Sequence, residues 1–282
     1  MKKKILISTG GSGGHVVPAT ILYQHLKDLN EVSVTCDSRG LKFLNQKDYD
    51  LTVFNINPFK TNFFLLPLNI FKILVLTIKS FIFLKKKKTE VLISTGGYMS
   101  LPLCLASRLL NIKLYLFEPN IVIGRSNKLF LRYCKKIFCY SDKIKNFPKN
   151  LKNKIEIIPP LLRKKFYELN KTKTINDQIK LLVIGGSQGA KIFDTLVKNS
   201  IVKLSKKYKF KVYQQSNINN FTSIKKTYQE NKIDYELFEY NEDVSIFMEK
   251  SNLCITRAGA TTLAELVFLN LPHVAIPLPS SK

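Results

Sequence analysis

The stretch KILISTGGSGGHVVP, residues 4–18, decides the fold. It opens with a short run rich in isoleucine and leucine, of the kind that forms a buried parallel strand. Glycines at 10, 11, 13 and 14 then let the backbone turn sharply at the strand end. Proline is tolerated in the first turn of a helix, so the helix that follows is expected to begin at Pro18. Residues 180–190, KLLVIGGSQGA, repeat the device: apolar strand, glycine turn, entry to a helix. Two such openings in 282 residues indicate two domains of ordinary size.

Besides strands at 4–9 and 180–184, short apolar runs recur at 32–36, 51–56, 91–95, 114–117 and 137–140, then at 211–215, 235–238, 253–256 and 274–277. Longer helix-compatible segments separate most of them, the pattern of a parallel sheet with crossover helices. The series restarts after Pro159-Pro160. The expected architecture is α/β, with Rossmann-like domains at residues 1–160 and 161–282. Residues 170–178 lack an apolar period and are expected to form a surface loop of the second domain.

An apolar fraction of 45% is enough for a core in each domain and excludes a disordered or fibrous chain. The net charge of +25 points first to nucleic acid or an anionic membrane. Only six of the 45 cations are arginine, the residue favoured for bidentate contact with phosphates and bases. No RNA- or DNA-binding module is recognisable either, so nucleic acid is not the expected partner. A Lys-, Asn- and Ile-rich genome would explain the bulk charge equally well. The excess is concentrated in residues 1–162, which hold 26 basic and 9 acidic side chains. Cys36, Cys104, Cys134, Cys139 and Cys254 form no CxxC pair and have no histidine at ligand spacing. Neither a disulfide framework nor a metal site is indicated, and a reducing cytoplasm fits best. The apolar run after Lys2-Lys3-Lys4 is too short for a signal peptide.

Residues 63–84 are about as long as a membrane span but contain Pro67, Asn69, Lys72 and Lys79, and they run into Lys85, Lys86, Lys87 and Lys88. At about 100° per residue, Asn69, Lys72, Lys79 and Ser80 fall on one arc, and Phe71, Ile78 and residues 81–83 largely fill the rest. An amphipathic helix is expected rather than a spanning one. Two readings stay open on the residues alone: a core helix with its polar arc in water, or a helix lying on a membrane surface with a polybasic end.

Glycine turns at strand ends aim backbone N–H groups, and the positive end of a helix dipole, at an anion. Residues 9–15, 95–98 and 185–190 all follow expected strands, at the carboxyl edge where open parallel sheets bind ligands. Their spacing does not match a dinucleotide fingerprint and no GK[ST] follows, so neither NAD nor a Walker-type ATP site is supported. Residues 256–265, TRAGATTLAE, end a strand and open a helix. There Arg257 can neutralise a diphosphate and Glu265 can accept hydrogen bonds from a ribose diol. On spacing alone, a surface arginine and a helix-start glutamate stay open as well.

Taken together, GGSGGHVVP at 10–18, STGGY at 94–98, EPN at 118–120 followed by Asn127, GGSQGA at 185–190 and TRAGATTLAE at 256–265 resemble the MurG family of peptidoglycan glycosyltransferases over nearly the whole chain. The resemblance implies the GT-B fold, with two Rossmann-like domains facing a cleft. It implies inverting transfer of N-acetylglucosamine from UDP-N-acetylglucosamine to the 4-hydroxyl of the lipid-linked muramoyl-pentapeptide, lipid I, giving lipid II. No tightly bound cofactor and no metal are implied. By position in the motifs, His15 is carried over as the catalytic base or an acceptor contact. Ser187 is carried over to a phosphate, Ala260, Thr261, Thr262, Leu263 and Ala264 to the sugar-nucleotide segment, Glu265 to the ribose, and the backbone near Asn241 to the uracil; Arg257 stands beside them as a donor-side residue. Ser12, Gly13, Gly14, Asn120 and Arg163 would close around the donor from the other side. Tyr98, Glu118 and Asn127 are acceptor-side candidates. The resemblance further implies a peripheral enzyme on the cytoplasmic face of the bacterial inner membrane, its first domain meeting anionic lipid through helix 63–84 and Lys85 to Lys88, with cell-wall synthesis proteins as further partners.

The chain departs from the family pattern at Pro119, where the family usually has Gln, and at Pro160-Leu161-Leu162 before Arg163, where it usually has Asn-Pro. It ends IPLPSSK at 276–282, whereas the family continues with an Asp and a Gln-rich segment that contacts the donor sugar. The second domain is therefore expected to be truncated. A non-catalytic remnant, and a related glycosyltransferase with another lipid acceptor, are the alternatives to the transferase.

Overall fold

A computed structural model describes residues 2–54, 66–169, 177–185 and 191–277. The chain divides into two compact units, Met1–Leu161 and Leu162–Lys282, a boundary one residue beyond that read from the proline pair. Each unit is a Rossmann-like α/β layer structure.

Unit 1 runs β1 (Lys4–Ser8), α1 (Gly13–Leu26), β2 (Glu31–Cys36), β3 (Leu51–Val53), α2 (Leu66–Lys86), β4 (Val91–Ser94), α3 (Ser100–Leu109), β5 (Lys113–Glu118), α4 (Arg125–Phe130), β6 (Lys136–Cys139) and β7 (Ile155–Ile157). Its sheet has the order β3-β2-β1-β4-β5-β6-β7, all parallel. Alternation along the strands fills both faces: Leu6, Leu92 and Leu116 join the α2–α3 core, while Ile7, Val34, Ile93 and Phe117 pack with Ala19 of α1. Each such side chain contributes about 1.5–3 kcal/mol on burial. Strand order reverses between β1 and β4, so the turns leaving these two strands open into the crevice where α/β sheets take ligands.

Unit 2 runs β8 (Gln178–Ile184), a π-helical turn (Phe193–Val197), α5 (Lys198–Leu204), β9 (Lys209–Gln215), α6 (Ile218–Glu230), β10 (Asp234–Phe238), α7 (Ser245–Lys250), β11 (Leu253–Thr256), α8 (Ala260–Phe268) and β12 (His273–Ala275). The parallel order β10-β9-β8-β11-β12 repeats the reversal, here between β8 and β11. Those are the strands that feed the second glycine turn and the TRAGATT turn. Gln178, expected in a loop, begins β8 and pairs with Lys209. The rest of that expected loop, 170–176, lies outside the described residues.

Two expectations need correction, and one strand was not expected. The first helix begins at Gly13, not at Pro18, because the N–H groups of His15 and Val16 already close a turn on the Ser12 carbonyl at 3.0 and 3.1 Å. Pro18 then lies in the second turn, where its missing N–H forgoes only a bond to Gly14. β7 carries no strong apolar signal because it is a short edge strand, with Ile157 58% exposed. The expected polar arc of α2 is only partly wet: Lys72 and Lys79 are exposed and Asn69 is half-buried. Ser80 is fully buried and Thr77 nearly so, whereas Phe71, Leu74, Ile78 and Ile82 are 56–63% exposed. Small side chains at 77 and 80 lie on the face that packs against α3, and a close helix contact favours small residues. Leu84 is fully buried and Leu76, Phe81 and Phe83 pack against the core, while Phe71, Leu74, Ile78 and Ile82 face outward beside Lys72 and Lys79. Among the described residues no helix is long and apolar enough to cross a membrane.

Candidate active site

In unit 1 the turns after β1 and β4 are locked together. Thr95 Oγ1 donates to the His15 carbonyl at 3.0 Å, and His15 Nδ1 lies 2.8 Å from the Thr95 carbonyl. A carbonyl only accepts, so Nδ1 carries the hydrogen, and in the neutral imidazole the lone pair is left on Nε2. His15 is half-buried in the first turn of α1, with its ring against the β4 turn. The close approach requires glycine: Gly97 has φ +87°, and a Cβ there would meet the Gly10 carbonyl oxygen at 2.8 Å. Gly96, at φ +94°, would place a Cβ 3.1 Å from the imidazole. Ser12 is the N-cap residue, but its side chain makes no capping bond, and Gly13 and Gly14 open the helix behind it. The first N–H groups of a helix lack partners within it, so this turn can donate to an anionic group.

Glu118 and Asn127 are 2% and 1% exposed. Glu118 accepts from Asn120 Nδ2 (3.0 Å), the Gly124 N–H (2.7 Å) and Asn127 Nδ2 (3.1 Å). Asn127 Oδ1 in turn accepts from Ser94 Oγ, at 3.5 Å, and Ser94 Oγ accepts the Gly96 N–H at 3.2 Å. These residues form a buried lattice that shapes the loop after β5 and the turn beside His15. Tyr98 is 45% exposed at the start of α3.

In unit 2 the arginine just past the prolines and the glutamate of α8 are partners. The Arg163 guanidinium is ion-paired to Glu265, with the side chains 11% and 1% exposed. Arg163 was expected on the side of the donor opposite Glu265; the structure puts both in one unit and in contact. Burial pushes the Glu265 carboxyl above its ordinary range, and Arg163 works against that shift. Arg163 Nε is buried without a hydrogen bond among the described residues. Arg257 is not free to face a diphosphate with its whole guanidinium: its NH1 donates to the carbonyls of Ile276 (3.3 Å) and Pro277 (2.9 Å), and the group lies over the Phe193 ring at 5.2 Å. It fastens the chain beyond β12. Gly259 is the N-cap residue of α8, with no side-chain cap and no acidic residue in the first turn, which leaves the N–H groups of Ala260, Thr261 and Thr262 at a positive helix end. Leu263 and Ala264 follow in the same turn and are partly buried. Asn241 Oδ1 accepts the Asp243 N–H at 2.8 Å, forming the turn that leads to α7. Ser187 and the rest of its turn lie outside the described residues.

Two polar centres escape sequence reasoning, Asp37 buried and Asp194 partly buried. Asp37, at the end of β2, binds the first glycine turn. Asp194, in the π-helical turn, accepts from Gln214 Nε2 (3.0 Å), Ser216 Oγ (2.9 Å) and Asn220 Nδ2 (2.8 Å). The first carried a signal, an acidic residue directly after a strand; the second did not. Among the described residues no cluster of His, Cys, Asp and Glu could hold a metal ion.

Residues 5–139 match the glycosyltransferase family 28 N-terminal domain, and residues 180–282 match the C-terminal domain of the same family. The whole chain is 60% identical to a Pelagibacter ubique protein named UDP-N-acetylglucosamine--N-acetylmuramyl-(pentapeptide) pyrophosphoryl-undecaprenol N-acetylglucosamine transferase, of which it spans 79%. The chain belongs to glycosyltransferase family 28. A Rickettsia canadensis family 28 relative bearing the same name is 34% identical over 99% of the chain and 80% of its own length. The crystal structure of Acinetobacter baumannii MurG superposes with a TM-score of 0.73 at 24% identity, covering 99% of this chain and 80% of that one, which places the two Rossmann-like units in the GT-B fold. The family 28 match over both units leaves out residues 140–179, the stretch that contains the unit boundary and Arg163.

Proposed function

We propose that this chain transfers N-acetylglucosamine from UDP-N-acetylglucosamine to the 4-hydroxyl of the undecaprenyl-diphosphate-linked muramoyl-pentapeptide, with inversion at the anomeric carbon. The observation that carries the reading is 60% identity along the entire chain to a relative named for this transfer. His15 supports it chemically. With Nδ1 held by the Thr95 carbonyl, Nε2 is the atom able to take the proton of the acceptor hydroxyl. As that oxygen bonds to the anomeric carbon, the bond from this carbon to the diphosphate breaks and UDP leaves with the electron pair. No covalent sugar–enzyme intermediate is needed. The open N–H groups at the start of α8 suit the negative charge that develops on the diphosphate. Purified protein given UDP-N-acetylglucosamine and a lipid I analogue should release UDP and form glycosylated lipid in equal amounts. Neither product from a folded protein, or UDP without glycolipid, would overturn the reading.

The same reading puts unit 1 against the cytoplasmic leaflet of the inner membrane. Its support is the outward apolar stripe Phe71, Leu74, Ile78 and Ile82 between exposed lysines. Lys87 is turned to Asp50 at 3.0 Å, which leaves Lys85, Lys86 and Lys88 as the polybasic end. Each lysine near an anionic surface contributes about 1 kcal/mol. Changing Phe71, Ile78 and Ile82 together to Ser should remove most binding to phosphatidylglycerol-containing vesicles in a sedimentation assay, with the melting temperature retained. Replacing Lys85, Lys86 and Lys88 by Gln should weaken binding at low salt. Binding indifferent both to salt and to those lysines would sink the electrostatic part.

A further inference from the structure

Only six of the 45 cations are arginine, and four of the six have partners. Arg39 is ion-paired to Asp37 and Arg163 to Glu265, Arg257 donates to two carbonyls, and Arg108 lies over the Tyr133 ring at 3.7 Å. Arg125 and Arg132 are exposed, and among the described residues their side chains have no ion pair, hydrogen bond or ring contact. Both line the same pocket of unit 1.

That pocket has a volume of about 410 Å³ and lies between the outer side of α4 and the turn at residues 148–151. Arg125, Lys128 and Arg132 stand at i, i+3 and i+7, so they share one side of α4 and of the turn that continues it. At 1.5 Å per residue they spread over about 10 Å. Asn127 and Phe130, on the opposite side, are buried. Leu131 and Leu151 give the pocket an apolar wall, Leu129 is exposed beside them, and among the described residues no acidic side chain lines it. Both walls are pinned together: Lys154 Nζ donates to the carbonyls of Arg132 at 2.7 Å and Cys134 at 2.8 Å. A lysine attracts any anion as a point charge, and this chain uses lysine for most of its cations. A guanidinium adds a planar fork that matches a carboxylate or phosphate in two bonds. One phosphate would engage only one end of a row about 10 Å long, whereas carboxylates at helical spacing match all of it.

We infer that this pocket docks an acidic helical segment of a partner protein, lying antiparallel to α4. Its carboxylates meet Arg125, Lys128 and Arg132, and one apolar side chain enters beside Leu129 and Leu151. The assignment rests on neither the transfer reaction nor the membrane contact of α2. The probe is a labelled alanine-based peptide of about four helical turns, with Glu at i, i+4 and i+7 and Leu at i+3, beside a twin with Gln in place of Glu. Titrated into the full chain and followed by fluorescence anisotropy, the Glu peptide should bind saturably and its twin about ten-fold more weakly or worse, the loss of at least one charge-assisted hydrogen bond. Arg125→Gln with Arg132→Gln should cost the Glu peptide a similar factor, with the melting temperature held because both side chains are exposed. Arg125→Lys with Arg132→Lys keeps the charge but not the forks, so it should restore only part of that affinity. Changing Lys85, Lys86 and Lys88 together to Gln should leave peptide binding as it was. Absence of saturable binding by the Glu peptide would overturn the inference. Equal loss in the three-lysine variant would overturn it too, by reducing the attraction to bulk charge, as would full affinity in the double-lysine variant, which leaves the forks no role. If the peptide stays unbound while phosphatidylglycerol vesicles bind and are lost in the double-glutamine variant, the pocket seats lipid and not a protein.

Discussion

Replacing His15 with alanine is expected to lower kcat by roughly 10²- to 10⁴-fold, the range for removal of a positioned general base. The fold should survive. His15 is half-buried rather than a core residue, and two other bonds that hold its turn to the β4 end, from Thr95 N–H to the Ser8 carbonyl and from the Thr95 hydroxyl to the His15 carbonyl, do not use the ring. Turnover of the two proteins, together with their melting curves, separates chemistry from stability. Near-normal kcat in His15→Ala would remove the base assignment and leave His15 as an acceptor contact, whose loss would raise KM instead.

Breaking the Arg163–Glu265 pair from one side is expected to cost about 3–5 kcal/mol, because the remaining charge is left buried and unpaired. Arg163→Met and Glu265→Leu should each lower the denaturation midpoint of the protein by that measure. Joining the two substitutions should recover much of the loss, since a buried pair replaced by apolar side chains of similar volume is often neutral. The double variant then tests ligand binding without the confounding loss of fold. It should bind UDP far more weakly than the unsubstituted protein if Glu265 also serves the ribose. Wild-type UDP affinity in a folded double variant would confine Glu265 to the structural pair. Single substitutions that leave stability unchanged would show that the ion pair does not form in solution.

Much of the fold was legible because parallel strands buried on both faces leave a strong local trace. KILIS at 4–8, VLIS at 91–94 and LCIT at 253–256 fall where apolar runs predict strands, because each is flanked by sheet on both sides and covered by helices. β7 has sheet on one side only, and its side chains have little to say. The glycine turns of unit 1 were legible for a related reason: they sit at the strand-order reversal, where backbone passes close to backbone. The locking of His15 to Thr95 was not, because the two residues are 80 positions apart and nothing local in either turn names the other.

The sequence by itself therefore determined the α/β class, the two domains, the strand ends that carry glycine turns and, through its motifs, the family. Tertiary structure alone decided which polar residues face one another. Arg163 and Glu265, separated by 102 positions, each carry an ordinary surface charge in sequence, and only burial in one core makes them a pair. Asp37 became the anchor of a glycine turn in the same way, and Ser80 of α2 is buried although Lys72 and Lys79 on the same arc stay exposed. Periodicity reports how much of a segment is buried, since burial acts on every residue of an element alike. Which neighbour covers it is set by chain closure over long separations, and a single hydrogen bond at that range leaves no periodic mark in the sequence.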